Sequence, residues 1–371
     1  MEARGPPRTG CAQFLARGDG EARTMTVGEG KRIGRAWVEE SAGGVRGLRG
    51  VFFGGSAAWR SDDEELGSSS DIDLFHVIEG EMGPEHSQRK LIHRGVLLEP
   101  SYKPFDGFAS ADAVLADWLC ACHLSIPSVV WDPSGYFAEL QRNVASHYAE
   151  RAWVERRCDG IRAAILETFL PGMETASDID ERILCFMSSV NHLYNLPIVA
   201  SLGPPTVRRA SGLFGRIAAT HGSPRLVESL LELIGSAALK RPEAATLLAG
   251  CTRAYDRALA VHHTPFYADW DLGETSRPLM VGGAQELIEQ GDCRDAALWI
   301  LFVHWVAQQA LRRDAPEEER KHFRDDYGRL LSALGLGSPT AVERRAAGVK
   351  AAVAAVEELA REAIARNPAI R

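Results

Sequence analysis

The stretch Asp71-Ile72-Asp73-Leu74-Phe75-His76-Val77-Ile78 constrains this chain more than any other. Ile72, Leu74 and Ile78 alternate with Phe75 and Val77, so both sides are apolar and the segment reads as a central strand covered on two faces. Asp71 and Asp73 stand two positions apart at its start, which sends both carboxylates to the same face. Two acids at the rim of a buried strand need a cation or a shared proton. A hard divalent cation such as Mg²⁺ takes oxygen ligands from one or two carboxylates together with substrate phosphates.

Upstream, Val51-Phe52-Phe53 reads as a short apolar strand, and Gly54-Gly55-Ser56 turns the chain while leaving backbone N–H groups and a hydroxyl to hold phosphate oxygens. Strand, Gly55-Ser56, then Asp71 and Asp73 on the next strand resembles the nucleotidyltransferase superfamily typified by DNA polymerase β. Fifteen positions separate Ser56 from Asp71, and the acidic stretch from Ser61 to Gly67 reads as an insertion. The resemblance implies a third carboxylate on a neighbouring strand. Glu99, the lone acid of the apolar run Gly95 to Lys103, supplies it.

A second resemblance lies at Val130-Trp131-Asp132-Pro133-Ser134-Gly135-Tyr136, which is similar to the turn leading into the helical domain of kanamycin-type aminoglycoside nucleotidyltransferases. Asp132 is read as a helix cap with Pro133 in the first turn. That family implies a glutamate on a following helix that takes the acceptor's proton, and Glu167 in Ile165-Leu166-Glu167-Thr168-Phe169 is the local match. Together the resemblances imply a Mg²⁺-dependent transfer of a nucleoside monophosphate from an NTP, ATP being favoured, to a hydroxyl of an aminoglycoside-like or other small natural product. Asp71, Asp73 and Glu99 would hold the metal, with Glu99 either a third ligand or the base. Gly55, Ser56, Ser70 and Lys103 would hold the phosphates, with Arg208 and Arg209 as further candidates. Nucleotidylation of a protein hydroxyl and a catalytically silent nucleotide-binding regulator are the alternatives.

Composition bounds this reading. A net charge of −8 over 371 residues disfavours a nucleic-acid partner, which calls for a basic stripe. No apolar run is expected to reach the length of a membrane span; the longest, residues 296 to 303, reads as a buried helix. Seven scattered cysteines and no signal peptide suit a reducing cytoplasm. Cys120-Ala121-Cys122-His123 and His262-His263 read as structural or surface groups. The oligomeric state is left open.

The expected fold is α+β: residues 1–24 a disordered tail with Met25 as an alternative start, 25–135 a small mixed-sheet nucleotidyltransferase domain, and 136–371 a helical substrate-binding bundle of about six to eight helices. A helix from Gly30 to Ser41 with Ile33, Ala36 and Trp37 on its apolar face, and another from Ser110 to His123, are expected in the first domain. Stripes at Phe137, Leu140, Val144 and Tyr148, at Ile183, Phe186, Met187, Val190 and Tyr194, and at Val349, Val353, Val356 and Leu359 mark bundle helices. Ser177-Asp178-Ile179-Asp180 repeats the letters of the site, but helical periodicity follows it, so Ser177 reads as an N-cap and the acids as first-turn residues.

Overall fold

A computed structural model describes residues 25–371, so the tail expected over residues 1–24 lies outside the described residues. The chain is α+β, with a small mixed sheet on the N-terminal side followed by helices. Its strands are β1 (Leu48–Phe53), β2 (Ile72–Ile78), β3 (Leu91–His93), β4 (Val96–Pro104) and β5 (Val129–Trp131). They lie in the order β3-β4-β2-β1-β5, with β2 and β4 parallel and the other pairs antiparallel. Both faces of β2 are covered, as its double apolar pattern requires. Ile72 and Leu74 pack under α1 (Val27–Ser41), while Phe75 and Val77 pack with Phe52, Phe108 and Phe137 on the other face.

Helix α1 starts three residues before the expected Gly30, for two local reasons. Thr26 and Glu29 form a reciprocal capping box. The acidic insertion also folds back over the helix start, where the Glu64 and Asp62 carbonyls accept the first N–H groups, those of Val27 and Gly28. The buried face is Gly30, Gly34 and Val38, whereas Ile33, Ala36 and Trp37 are only half-buried, contrary to the apolar-stripe expectation. Glycine lets the helix lie close on the sheet: a Cβ on Gly34 would stand 3.3 Å from Ile72 and 3.5 Å from Phe53.

The single helix expected from Ser110 to His123 is two, α2 (Ala111–Ala116) and α3 (Ala121–Leu124). Ser110 caps the first as expected. The Asp117 carboxylate then takes the N–H groups of Leu119 and Cys120, competing with the helical ladder and breaking it.

After β5 the chain is helical: α4 (Tyr136–His147), α5 (Arg151–Ala163), a π turn (Ala164–Phe169), α6 (Leu170–Thr175), α7 (Ile179–Ala200), α8 (Ala210–Thr220), α9 (Pro224–Ile234), α10 (Arg241–Val261), α11 (Gly283–Gln290), α12 (Ala296–Asp314), α13 (Glu317–Ala333) and α14 (Pro339–Arg366). That is eleven helices among the described residues, more than the six to eight expected. One missed break, between α4 and α5, is made by tertiary pairing: Arg371 donates to the Ala149 carbonyl and accepts from the Arg151 N–H. Asp132 does cap α4, accepting from the Ala138 N–H at 2.8 Å, but the helix begins at Tyr136, so Pro133 precedes its first turn. The α4 stripe Phe137, Leu140, Val144 and Tyr148 is buried with the sheet, so the core changes over after Tyr148 while the purely helical chain begins at 136.

Helix α7 is long and apolar enough by composition to cross a membrane, exceeding the run at 296–303 singled out from sequence, and 78% of its most apolar window is buried inside the protein. Its cap is Asp178 rather than Ser177; Asp178 and Asp180 both pair with Arg312, so the repeated tetrapeptide forms an ion-pair cluster at a helix start.

Gly50 of β1 is the seat of Phe137, since a Cβ there would overlap its ring. Gly50→Ala is therefore expected to lower stability by about 1–3 kcal/mol through overpacking, with partial recovery in Gly50→Ala/Phe137→Leu, as measured by urea denaturation.

Candidate functional site

The parallel register of β2 and β4 sets Asp73 directly beside Glu99. Asp71, one residue before β2, completes a group of three carboxylates whose oxygens lie within 4.8 Å of one another. Asp71 and Asp73 are half-buried, and Glu99 is buried at 9% exposure. Glu99 has two donors: Gln88 Nε2 to Oε1 at 2.5 Å and Lys90 Nζ to Oε2 at 3.0 Å. Lys90, its side chain only 2% exposed, also holds Asp271 Oδ1 at 2.6 Å. Asp271 comes from the helical half, in the turn Asp269–Asp271 between α10 and α11.

The glycine turn packs onto this group. The Gly54 N–H donates to the Asp73 carbonyl at 3.0 Å, and a Cβ on Gly54 would press on the Phe75 ring. Gly55 has φ of 58°, and a side chain there would overlap the Asp73 carboxylate. Only glycine meets both demands. Ser56 opens the short 3₁₀ turn Ser56–Ala58 that follows.

Crowding sets the charges. Burial, then repulsion from Asp73 and Glu99, pushes the Asp71 carboxyl well above the usual range. Burial and Glu99 push Asp73 up to about 7. Burial acts on Glu99 in the same sense, but Lys90 outweighs it with help from the bonds around it and holds that carboxyl below its ordinary value. Lys90 in turn stays charged: burial alone would pull its pKa down, and Asp271 and Glu99 raise it.

These residues open on a cavity of about 480 Å³ between the sheet and the helical half. Of the residues read from sequence, Gly55, Ser56, Ser70, Asp71, Asp73, Glu99, Arg208 and Arg209 line it. Glu167 and Lys103 do not. Glu167 is exposed on the π turn, which buries Ile165 instead, and no residue of α5, this turn or α6 lines the cavity. Lys103 lies over the Phe75 ring at 5.2 Å, a cation–π contact made outside the cavity. Arg208 and Arg209, the further phosphate candidates, face Glu286 at 3.9 and 3.8 Å, and Glu286 accepts a short hydrogen bond from Ser69.

Sequence reading missed Lys90, Asp271 and Glu286. Lys90 and Asp271 are 181 positions apart, and no local pattern marks either. Cys120, Cys122 and His123 are buried among the sheet-side core; burial lowers the His123 pKa to about 4, so this imidazole on the cavity wall is neutral. His262 and His263 both face Asp314, at 3.4 and 3.6 Å.

Compared with known proteins, the chain matches no family model and no curated protein. The chemistry of the donor set is the guide to a ligand. Three converging carboxylates offer oxygen alone, and the Lys90 ammonium is paired with Glu99 and Asp271 rather than with Asp71 or Asp73; such a set fits a hard divalent cation.

A carboxyl raised from 3.8 to about 7 binds more protons folded than unfolded across that interval, so Asp73 costs stability as pH rises through it. His76, His123 and His304, all lowered by burial, slope the other way below their ordinary pKa of 6.5. Comparison with Asp73→Asn isolates the effect. In chelator, the wild-type Tm should fall relative to the variant from pH 5 to pH 8, and millimolar Mg²⁺ at pH 8 should restore the wild type alone.

Proposed function

We propose that this protein is a Mg²⁺-dependent nucleotidyltransferase that moves a nucleoside monophosphate, AMP from ATP in the favoured case, to a hydroxyl of a small molecule. The observation that carries the reading is the Asp73–Glu99 pairing across parallel strands, with Asp71 alongside and the Gly54-Gly55-Ser56 turn packed on Asp73, all open to one cavity. The likeness to the polymerase β superfamily in residue order adds support, and so does the likeness to kanamycin-type enzymes at the turn before α4.

Asp71, Asp73 and Glu99 would hold the metal. Divalent ions so held stabilise the attacking and leaving oxygens of an in-line displacement at a phosphate. The Gly55 and Ser56 backbone and the hydroxyls of Ser56 and Ser70 supply donors for the triphosphate, and Arg208 and Arg209 add positive charge from the helical half. The acceptor oxygen bonds to the α-phosphorus, the bond from that phosphorus to the bridging oxygen breaks, and pyrophosphate leaves. Gln88 and Lys90 occupy both Glu99 oxygens and keep it ionised, which supports a ligand role for Glu99. Asp271, on the helical wall with its pKa raised by burial, is then the carboxylate assigned to take the acceptor's proton. A cytoplasmic setting suits the free thiols of the six described cysteines.

Pyrophosphate release and intact-mass analysis, with Mg²⁺, each NTP and a panel of hydroxyl compounds, test the reading. Asp71→Asn and Asp73→Asn are expected to lose at least about 100-fold in turnover while still folding cooperatively, and Glu167→Gln and Lys103→Met to stay within about threefold. Near-full turnover in Asp73→Asn would sink the assignment.

A further inference from the structure

Resting on that transfer reading, we infer that the acceptor is an uncharged hydroxyl compound with an apolar ring or chain body, and not a polycationic amino sugar. The helical wall of the cavity presents Leu184 and Met187 from α7, Leu298, Trp299 and Phe302 from α12, and Trp270 from the turn before α11. These apolar side chains favour contact with an apolar ligand body.

The charges on the same cavity oppose a polycation. Outside the three site carboxylates, its acids are Asp271 and Asp295. Asp271 is already bound to Lys90. Asp295 is hydrogen-bonded by Ser211, and burial raises its pKa, so it is a weak counter-ion. The cations of the cavity are Lys90, held between Asp271 and Glu99, and Arg208 and Arg209, which face Glu286. In the transfer reading the site carboxylates are committed to metal and phosphates. Each ammonium of an amino sugar would therefore lose water without gaining a carboxylate, a net desolvation cost. The attraction of a cation to the aromatic rings is weaker than that desolvation cost.

The polar groups on this wall suit a neutral hydroxyl. The His192 Nδ1 lies 2.8 Å from the Ser188 carbonyl, so Nδ1 carries the proton and Nε2 is left as a lone-pair acceptor. The ring contacts Trp118 and Phe169, with centroids 5.0 and 4.8 Å away, and burial lowers its pKa and keeps it neutral. A fixed neutral acceptor of this kind receives an O–H.

The test has two stages. Calorimetry first measures MgATP binding to the wild type and to Asp73→Asn; absence of binding to the wild type would remove the transfer reading, and this inference with it. Transfer of AMP is then followed by intact mass on two uncharged probes, a macrocyclic lactone polyol and an aryl glycoside, and on a polyamino cyclitol glycoside. The expected result is adducts on the uncharged probes at a kcat/KM at least about tenfold above the amino sugar. Leu298→Asp, at a half-buried wall position, should narrow that ratio while MgATP binding holds. Tyr267→Ala, which removes a ring 66% exposed at the cavity mouth and so leaves the fold intact, should raise KM for the uncharged probes about tenfold with kcat unchanged. Faster transfer to the amino sugar overturns the inference and leaves the transfer reading standing. So does an adduct on the amino sugar with none on either uncharged probe, whereas MgATP binding with no adduct on any probe removes both readings.

Discussion

Repulsion among Asp71, Asp73 and Glu99 is the constraint around which the rest of the structure is arranged. Two of these carboxylates stand side by side because β2 and β4 run parallel in one register, and that register is held by what lies above and below the strands. Ile72 and Leu74 are buried against the glycine face of α1, and Phe75 and Val77 against the aromatic cluster that includes Phe137. A slip of one residue would turn every apolar side chain to the wrong face, so core burial fixes the crowding. The fold holds like charges together with the free energy of its apolar packing.

Each side of the carboxylate group is tied to the helical half by a charged bridge. On one side Glu99 reaches Asp271 through Lys90, and on the other Ser69, two residues before Asp71, bonds to Glu286, which faces Arg208 and Arg209. The cavity between these bridges takes its polar floor from the sheet and its apolar, aromatic wall from α7 and α12. The carboxylate group and the apolar wall thus sit on different halves of the molecule.

Much of the sheet half was legible because its signals are local. The alternation through Ile72 to Ile78, the Gly54-Gly55-Ser56 turn and the lone acid Glu99 each depend on neighbours within a few positions, and Gly55 is demanded by its own φ as well as by Asp73. The apolar stripes of α4, α7 and α14 were readable for the same reason: a period of 3.6 appears in the letters themselves. Where a reading failed, packing had overruled the pattern. The buried face of α1 is made of glycines, which carry no hydrophobic signal, and close contact with Ile72 and Phe53 chooses them over Ile33 and Trp37.

The letters by themselves therefore determined the carboxylate pair, its glycine turn, the third acid and the α+β order of the chain, since strand alternation and helix period are properties of adjacent residues. Tertiary structure alone decided which other groups reach the site. Glu167 stands on a helical segment none of whose residues lines the cavity, and Lys103 packs over the Phe75 ring without lining it. Lys90 and Asp271 were brought to it across 181 positions, and Arg208 and Arg209 reach it from the helical half. The physical reason is the same in each case: a buried charge is placed by the partner that neutralises it, and such partners are chosen by the packing of whole elements, at sequence separations that no local pattern records.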